Sequence, residues 1–281
     1  MTMIDYLKKN KDGIYLYGGI FLIVVLLITI AVSSLNGSPL DSSLTHDMVV
    51  KNETAIDLGF ASIAWYAVFI LTGILVAGTL AYFEFKKMGW DPDALFDGFL
   101  FAVPLSIVGS RLYYVIFDPS PNYSSFIDVI NITQGGLAIH GAVITAIVFL
   151  IFFARRKKLN FWVLADMMAV GFLAGQIIGR WGNFMNGEAH GPVIQSQFIL
   201  NVLPNFIKVN MTTAAGTIIH PTFFYEGLWN FTGLVFLLIT RRFKLFKVGD
   251  MIGLYLIWYG LGRGLIIEPL RTDPLFIFGF K

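Results

Sequence analysis

The chain has 281 residues, of which 56% are hydrophobic and only 14% are charged. These proportions exclude an ordinary soluble domain, and the net charge of +2 indicates no class of partner. The sequence has no cysteine, which excludes disulfides, thiolate metal sites and a cysteine nucleophile. Any thiol that the chemistry of this protein requires must therefore come from a partner.

Seven apolar spans are long enough to cross a membrane, and the segments between them are too short for a soluble domain. We therefore predict an all-α, polytopic membrane protein. The spans run roughly over residues 14–33, 61–84, 94–117, 136–154, 162–185, 221–240 and 249–270. We divide the chain into an anchor helix with an outer loop, residues 1–60, and a six-helix membrane core, residues 61–281, whose outer loop covers 186–220.

The first span follows Lys8, Lys9 and Lys11, as the apolar region of a signal peptide would. Its apolar run, residues 14–32, is longer than the apolar region of most signal peptides. We therefore predict an uncleaved membrane anchor.

The loops on the two sides of the membrane differ in positive charge. Of the 20 lysines and arginines, thirteen fall on the side of the amino terminus, four fall on the other side and three lie inside spans. Because positive loops stay in the cytoplasm, the amino terminus is predicted to be cytoplasmic and the carboxyl terminus to be outside. In the outer loop, the mixture of apolar and polar residues over 197–209 favours a position along the membrane surface.

The polar side chains inside the spans share one depth, the outer half of the bilayer. They are Tyr66, Arg111, His140, Arg180, Asn183, Glu226, Tyr259 and Arg263. An arginine at the centre of a membrane helix costs ~2.5–3.5 kcal/mol on insertion scales. The three arginines are therefore tolerated only if they pair, remain hydrated or bind something.

The richest polar stretch is 179–191, which ends the fifth span. Arg180 and Asn183 share a helical face there, and Asn186, Glu188 and His190 follow among glycines. One interpretation is a buried polar cluster that locks two helices together. The other is an anion site, because the planar fork of arginine matches phosphate.

Two further observations bear on that choice. Glu226, Glu268 and Asp273 can pair with some of the cations, so part of the cluster is expected to be structural. Arginines at the depth of the outer leaflet nevertheless favour a phospholipid headgroup over a soluble metabolite.

Among the polar side chains in the outer half of the bilayer, His140 is the one that can act as a base at neutral pH. A glycine-flanked histidine on a helix is often a packing residue, but beside phosphate-binding arginines we predict a general base. Glu188, His190 and His220 lack a metal-binding spacing such as H-E-x-x-H, so we predict no metal ion.

The stretch 179–191 resembles the prolipoprotein diacylglyceryl transferases of the bacterial plasma membrane, matching G-R-x-G-N-F-x-N-x-E-x-x-G at every fixed position. Residues 135–141 resemble the second histidine motif of that family. Further similar stretches are Trp65-Tyr66, His220-Pro221 with Tyr225-Glu226, and Tyr259-Gly260 with Arg263, Glu268, Arg271 and Asp273. The similarity covers about residues 55–275.

The resemblance implies transfer of the diacylglyceryl group of phosphatidylglycerol to the lipobox cysteine of a preprolipoprotein. The implied catalytic residues are His140, Arg180, Arg263, Tyr259 and Tyr66. The implied substrate-binding residues are Arg180, Asn183, Asn186, Glu188, Gly191, Glu226, Glu268 and Arg271, and we add Arg111 because of its depth in the membrane. No cofactor is expected, and the partners are phosphatidylglycerol, preprolipoprotein signal peptides and membrane lipids, with no nucleic acid. The site is expected to face the outer leaflet of the bacterial plasma (inner) membrane.

The chain departs from the family in three places. Ala67 stands where the family usually has glycine, and Arg263 and Glu268 are five residues apart where we expect four. After residue 270 we expect no counterpart of the family's last membrane helix, and we expect the extra span 14–33 to take its place. The alternative functions are a lipid or anion transporter and a catalytically silent relative that only binds lipid or lipoprotein.

Overall fold

The computed structural model of the protein describes residues 11–33, 54–59, 62–118, 123, 125–132, 136–187, 190–213, 215–243 and 245–270. Across these ranges the chain is mainly helical, which confirms the predicted class. The helices are α1 (Lys11–Ser33), α2 (Trp65–Lys87), α3 (Pro92–Phe117), α4 (Phe126–Ile130), α5 (Ile139–Lys157), α6 (Phe161–Asn186), α7 (Gln197–Val202), α8 (Asn205–Asn210), α9 (Thr222–Thr240) and α10 (Asp250–Leu261).

Six segments of the described chain are long and apolar enough to cross a membrane. They are α2, α3, α5, α6, α9 and the segment Asp250–Leu270, which begins with α10. These segments confirm the last six predicted spans. The first predicted span falls on α1, and its passage through a membrane, the total of seven and the orientation of the termini stay predictions.

A short antiparallel hairpin precedes α2 and was not predicted. Its strands are β1 (Thr54–Asp57) and β2 (Ser62–Ala64), with Ile56 opposite Ile63. Because β2 occupies the first residues of the predicted span 61–84, the helix begins only at Trp65.

Side-chain caps fix where several helices begin. Asp91 caps α3 by accepting a hydrogen bond from the backbone N–H of Asp93, and Pro92 follows at the first helical position. Asn160 accepts hydrogen bonds from the backbone N–H groups of Trp162 and Val163 at the start of α6. These caps explain why the helices begin where the apolar runs begin.

The chain forms two compact units. One comprises Met1–Gly78 and Ala169–Lys281, and the other comprises Thr79–Met168. We call them the first and the second unit. The predicted division at residue 60 concerns function and stays a prediction.

The second unit is built on the packing of α3 along α5. Its hydrophobic core contains Phe85, Ala94, Phe153, Ala154 and Leu164. The first unit has its own core, formed by Ala169, Leu173, Leu237, Met251 and Tyr255.

Close helix packing in the first unit depends on small residues. A Cβ on Gly73 of α2 would lie 3.3 Å from Cα of Gly175 in α6. Small residues let membrane helices approach until their backbones are in van der Waals contact. This approach places α2, which begins with Trp65 and Tyr66, against α6, which carries Arg180.

Candidate functional site

A connected group of charged side chains lies in the first unit. Arg180 of α6 pairs with Glu226 of α9, with 2.5 Å between Nη2 and Oε1. The second carboxylate oxygen of Glu226 lies 3.4 Å from Nη1 of Arg263, whose Nε lies 3.2 Å from Oε2 of Glu268. Arg180 also donates from Nη1 to Oδ1 of Asn183 at 3.2 Å. We call Arg180, Glu226, Arg263 and Glu268 the arginine–glutamate cluster.

Glu226 is the buried centre of this cluster, with only 3% of its surface exposed. A buried carboxylate is tolerated when cations pair with it, and removing one partner of such a pair costs about 3–5 kcal/mol. Both arginines that pair with Glu226 keep part of their side chains exposed. Their charge is therefore held in place by a buried anion and remains accessible.

Each arginine keeps a nitrogen that its cluster partners do not use. The contacts above engage Nη1 and Nη2 of Arg180, and Nε and Nη1 of Arg263. Within the described parts of the chain, Nε of Arg180 and Nη2 of Arg263 have no partner. These N–H groups are the donors that an anion can bind without displacing the cluster.

The five-residue spacing of Arg263 and Glu268 is explained by a π-helical turn. After α10 the chain continues as a π-helix over Gly262–Ile267, and the backbone N–H of Glu268 donates to the carbonyl of Arg263. A π-helix hydrogen-bonds residues five apart, and such turns are frequent at functional sites. The turn brings the two side chains into contact, as the four-residue spacing would on an α-helix.

Tyr66 packs against α6 at Gly182. A Cβ on residue 182 would lie 2.8 Å from Cδ2 of the Tyr66 ring, so this position has room only for glycine. The glycine two residues after Arg180 is therefore required by the tyrosine of α2. Tyr259, one turn before Arg263, stacks on Tyr255, with 5.9 Å between the ring centroids.

Gly191 lies at another close approach in the first unit. Its backbone N–H donates to the carbonyl of His220 at 2.9 Å. A Cβ at this position would collide with the carbonyl oxygen of Leu270. Because it has no side chain, Gly191 allows the segment after α6 to pack against the backbone of Leu270.

In the second unit, Arg111 binds backbone carbonyls. Its Nε, Nη1 and Nη2 donate to the carbonyls of Val129, Gly136 and Asp128, at 2.8, 3.0 and 2.7 Å respectively. Its guanidinium also lies over the ring of Tyr114, 5.6 Å from the ring centroid.

His140 is the second residue of α5 and is exposed. Its ring stacks on that of Tyr113 in α3, with 5.9 Å between the centroids and 28° between the planes. An exposed imidazole held against a tyrosine on one side leaves its ring nitrogens accessible to a substrate.

Comparison with known proteins identifies the family. A profile of the prolipoprotein diacylglyceryl transferases matches residues 53–281. The chain belongs to this family. It is 46% identical to a phosphatidylglycerol–prolipoprotein diacylglyceryl transferase of Bacillus mycoides over 224 residues, which are 79% of this chain and 82% of the relative. Transferases of the same name from Bacillus cereus and Bacillus anthracis are 45% identical over 227 residues, which are 80% of this chain and 83% of each relative.

The family motifs fall in both units of the structure. Those with Tyr66, Arg180, Glu226 and Arg263 lie in the first unit, where three of these residues form direct ion pairs. The motif with His140 lies in the second unit, as does Arg111. The sequence-predicted residues Glu188 and Arg271 lie outside the described residues, and Asn186 is the last residue of α6. The roles of all these residues stay predictions.

A pair of tryptophans beside the family motifs was missed by the sequence analysis. The indole N–H of Trp229 in α9 donates to the carbonyl of Trp258 in α10, and that of Trp258 donates to the carbonyl of Trp229, both at 3.0 Å. The two rings stack, with 4.5 Å between their centroids. We call this pair the tryptophan clasp.

The clasp needs a glycine opposite each indole. A Cβ on Gly233 would collide with the indole of Trp258, and one on Gly262 would collide with the indole of Trp229. The signal in the sequence was a glycine four residues after each tryptophan. Since Glu226 lies one turn before Trp229 and Arg263 directly follows Gly262, the clasp fixes the helices that carry this ion pair.

His220 of the family motif that contains Glu226 also has a defined partner. Its Nδ1 lies 3.1 Å from the hydroxyl of Tyr225. Burial lowers the pKa of His220 below its ordinary value of 6.5. Burial therefore favours the neutral imidazole at this position, just before α9 begins.

Proposed function

We propose that this protein transfers the diacylglyceryl group of phosphatidylglycerol to the lipobox cysteine thiol of preprolipoproteins, releasing glycerol phosphate. Membership of the transferase family and the names of relatives that are 45–46% identical over about 80% of the chain support this activity. The observation that carries the proposal is the arginine–glutamate cluster, in which two accessible guanidinium groups share one buried carboxylate. The absence of cysteine in the chain agrees with a thiol that arrives with the substrate.

The arginines are the proposed site of the lipid phosphate. Glu226 would hold both guanidinium groups in fixed orientations, and Nε of Arg180 and Nη2 of Arg263 would donate to the phosphate oxygens. Hydrogen bonds between a guanidinium and phosphate are charge-assisted and about twice as strong as neutral ones. Asn183, Asn186, Glu188, Gly191, Glu268 and Arg271 are proposed to shape this site and orient the lipid, with Tyr66 and Tyr259 at its sides.

The transfer is a displacement at a carbon atom. The thiolate sulfur attacks the glyceryl carbon that bears the phosphate ester, a carbon–sulfur bond forms, and the carbon–oxygen bond to phosphate breaks. The electron pair of that bond leaves with glycerol phosphate. Arg180 and Arg263 would stabilise the charge that develops on the departing phosphate, where preorganised donors lower a barrier most.

The thiol must lose its proton before or during the attack. A free thiol has a pKa of about 8.5, so only a small fraction is thiolate near neutral pH. His140 is the proposed base that takes this proton. Its exposed ring at the start of α5 supports that role.

We also propose that the protein lies in the bacterial plasma (inner) membrane, with seven membrane spans that include residues 14–33. The amino terminus would be cytoplasmic, the carboxyl terminus outside and the site towards the outer leaflet. The distribution of lysine and arginine between the loops supports this orientation. The six apolar helical segments and the bacterial relatives support a multi-pass bacterial membrane protein.

The test is a product analysis with the purified protein. Phosphatidylglycerol labelled in its glycerol headgroup is incubated with a lipobox peptide, and the peptide is analysed by mass spectrometry. We expect a peptide heavier by one diacylglyceryl group, and one labelled glycerol phosphate released for each peptide modified. A peptide with serine in place of the cysteine is the control and should stay unmodified. Binding of lipid without a thioether product would contradict the proposal.

A further inference from the structure

Two neighbouring residues of α3 bind the backbone of the segment that leads into α5. Arg111 donates to the carbonyls of Asp128, Val129 and Gly136. The hydroxyl of Ser110 donates to the carbonyl of Ala138 at 2.8 Å, and the backbone N–H of Ala138 donates to the carbonyl of Ser110 at 3.2 Å. We call Ser110 and Arg111 the α3 clamp.

All three nitrogens of the guanidinium in the clamp bind protein. Each of its three nitrogens donates to a backbone carbonyl, and the group lies over the rings of Tyr114 and Tyr123. Arg111 is 9% exposed and Ser110 is 6% exposed. A lipid phosphate that competed for these N–H groups would leave carbonyl oxygens of the protein without their donors, which is costly. In Arg180 and Arg263, by contrast, one nitrogen each has no partner among the described residues.

The α3 clamp binds the chain two residues before His140. Ala138, which Ser110 holds by two hydrogen bonds, is the residue that caps the start of α5, and its side chain makes no cap hydrogen bond. The first helical residue is Ile139 and the second is His140. The start of this helix, and with it the place of the imidazole, is therefore set by α3 and not by a local capping side chain.

Packing on the same stretch of α3 fixes the other side of His140. A Cβ on Gly141 would collide with the carbonyl oxygen of Gly109 and with Cβ of Tyr113, so α5 lies directly on α3 at this point. The ring of Tyr113 stacks on the imidazole. His140 thus lies between Ala138, which the clamp binds, and Gly141, which packs tightly on α3.

We propose that Ser110 and Arg111 are positioning residues for His140, which hold the start of α5 so that the imidazole meets the substrate thiol. The depth of Arg111 in the membrane made it a candidate for lipid binding. Its contacts in the clamp instead support a role in positioning His140. The proposal rests on the function proposed above, in which His140 is the base. Displacing a catalytic group by about 1 Å can cost on the order of a hundredfold in rate.

The test compares two peptides that differ in their need for a base. In the first, the lipobox residue is cysteine, and in the second it is selenocysteine, whose selenol is already ionised at neutral pH. A displaced base slows transfer to the first peptide and leaves transfer to the second almost unchanged. Damage to lipid binding or to the fold slows both equally.

The variants are Ser110→Ala and Arg111→Lys in the full chain. We expect each to lower kcat with the cysteine peptide by about tenfold or more, to lower it less than twofold with the selenocysteine peptide, and to leave KM for phosphatidylglycerol unchanged. Ser110→Ala removes one uncharged hydroxyl, so it tests the clamp even if Arg111→Lys fails to fold. Ser106→Ala is the matched control, because this serine of α3 has no hydrogen bond to that segment in the described part of the chain, and we expect wild-type rates with both peptides.

Three results would overturn the proposal. One is a raised KM for phosphatidylglycerol in Arg111→Lys with a normal Ser110→Ala, which would make Arg111 a lipid-binding residue. Another is an equal loss with both peptides in the two variants. The third is a His140→Ala variant that is impaired equally with both peptides, which would remove the base that the clamp positions. If the wild type transfers lipid to neither peptide, the proposed function itself fails.

Discussion

Arg180 makes two contacts with different partners, and this geometry distinguishes an arginine from a lysine. Its Nη2 pairs with Glu226 while its Nη1 donates to Asn183. An ammonium group carries its three donors on a single nitrogen and cannot reproduce the planar fork that reaches these partners and a phosphate at once. We therefore predict that Arg180→Lys lowers turnover about 100-fold although the charge is kept, in line with the loss of one preorganised donor.

The measurement is turnover of labelled phosphatidylglycerol at equal amounts of folded protein. Arg155→Lys is the control, because Arg155 is exposed in the last turn of α5 and should tolerate the change. Near-normal turnover of Arg180→Lys would show that the arginine provides charge alone.

His220 predicts a pH dependence of stability. Because burial lowers its pKa below 6.5, the unfolded chain takes up a proton at this residue before the folded chain does as the pH falls. The stability that the neutral imidazole contributes is therefore complete above about pH 6.5 and decreases below it. We expect the melting temperature in detergent to fall less between pH 7 and pH 5.5 in His220→Gln than in the wild type. Parallel curves for the two proteins would contradict this.

Among the helices, the tryptophan clasp joins α9 to α10 and lies between Glu226 and Arg263 in the chain. A methyl group on Gly262 would have to displace the indole of Trp229, which breaks the clasp and moves the neighbouring Arg263. We predict that Gly262→Ala lowers both the melting temperature and turnover.

A matched control lies in the same helix. Within the part of the chain that the structure describes, a methyl group on Gly253 of α10 would have no atom of a neighbouring element within 4 Å, so Gly253→Ala meets no obstacle there. An alanine in a helix is more favourable than glycine by roughly 0.5–1 kcal/mol. This variant should therefore be as stable as the wild type or slightly more so, with unchanged turnover. If the two alanine variants behave alike, the clasp does not hold the site.

The elements show what the sequence could and could not reveal. Long apolar runs predicted six of the spans correctly, because the length needed to cross a membrane is a local constraint on the sequence. The π-helical turn was visible only as an unexpected five-residue spacing between Arg263 and Glu268. A π-turn depends on contacts with other helices, so local propensity does not reveal it.

The side chains and backbone groups that bind the arginines could not be predicted from the sequence either. Arg111 and Arg180 both occupy apolar spans, and the sequence assigned the two the same task. In the structure the first binds backbone carbonyls and the second binds carboxylate and amide side chains. Depth in the membrane predicts that such a cation needs a partner, whereas the identity of the partner depends on tertiary packing.

At the scale of the whole molecule, the proposed orientation can be tested directly because the chain has no cysteine. A single cysteine can be introduced at exposed positions without removing any other. Ser196 lies in the predicted outer loop and Arg156 in a predicted cytoplasmic loop. In intact cells, a membrane-impermeant maleimide should label Ser196→Cys and should label Arg156→Cys only after the membrane is opened. The reverse pattern would invert the topology and move the proposed site away from the outer leaflet.

The central claim is that the arginines bind the lipid phosphate and His140 activates the thiol. The most direct measurement determines, in one set of samples, the binding of labelled phosphatidylglycerol and its transfer to a lipobox peptide, for wild type, Arg180→Lys and His140→Ala. We predict that Arg180→Lys loses both binding and transfer, whereas His140→Ala binds lipid like the wild type and forms no thioether at pH 7. Full transfer by His140→Ala, or wild-type lipid binding and transfer by Arg180→Lys, would contradict the account.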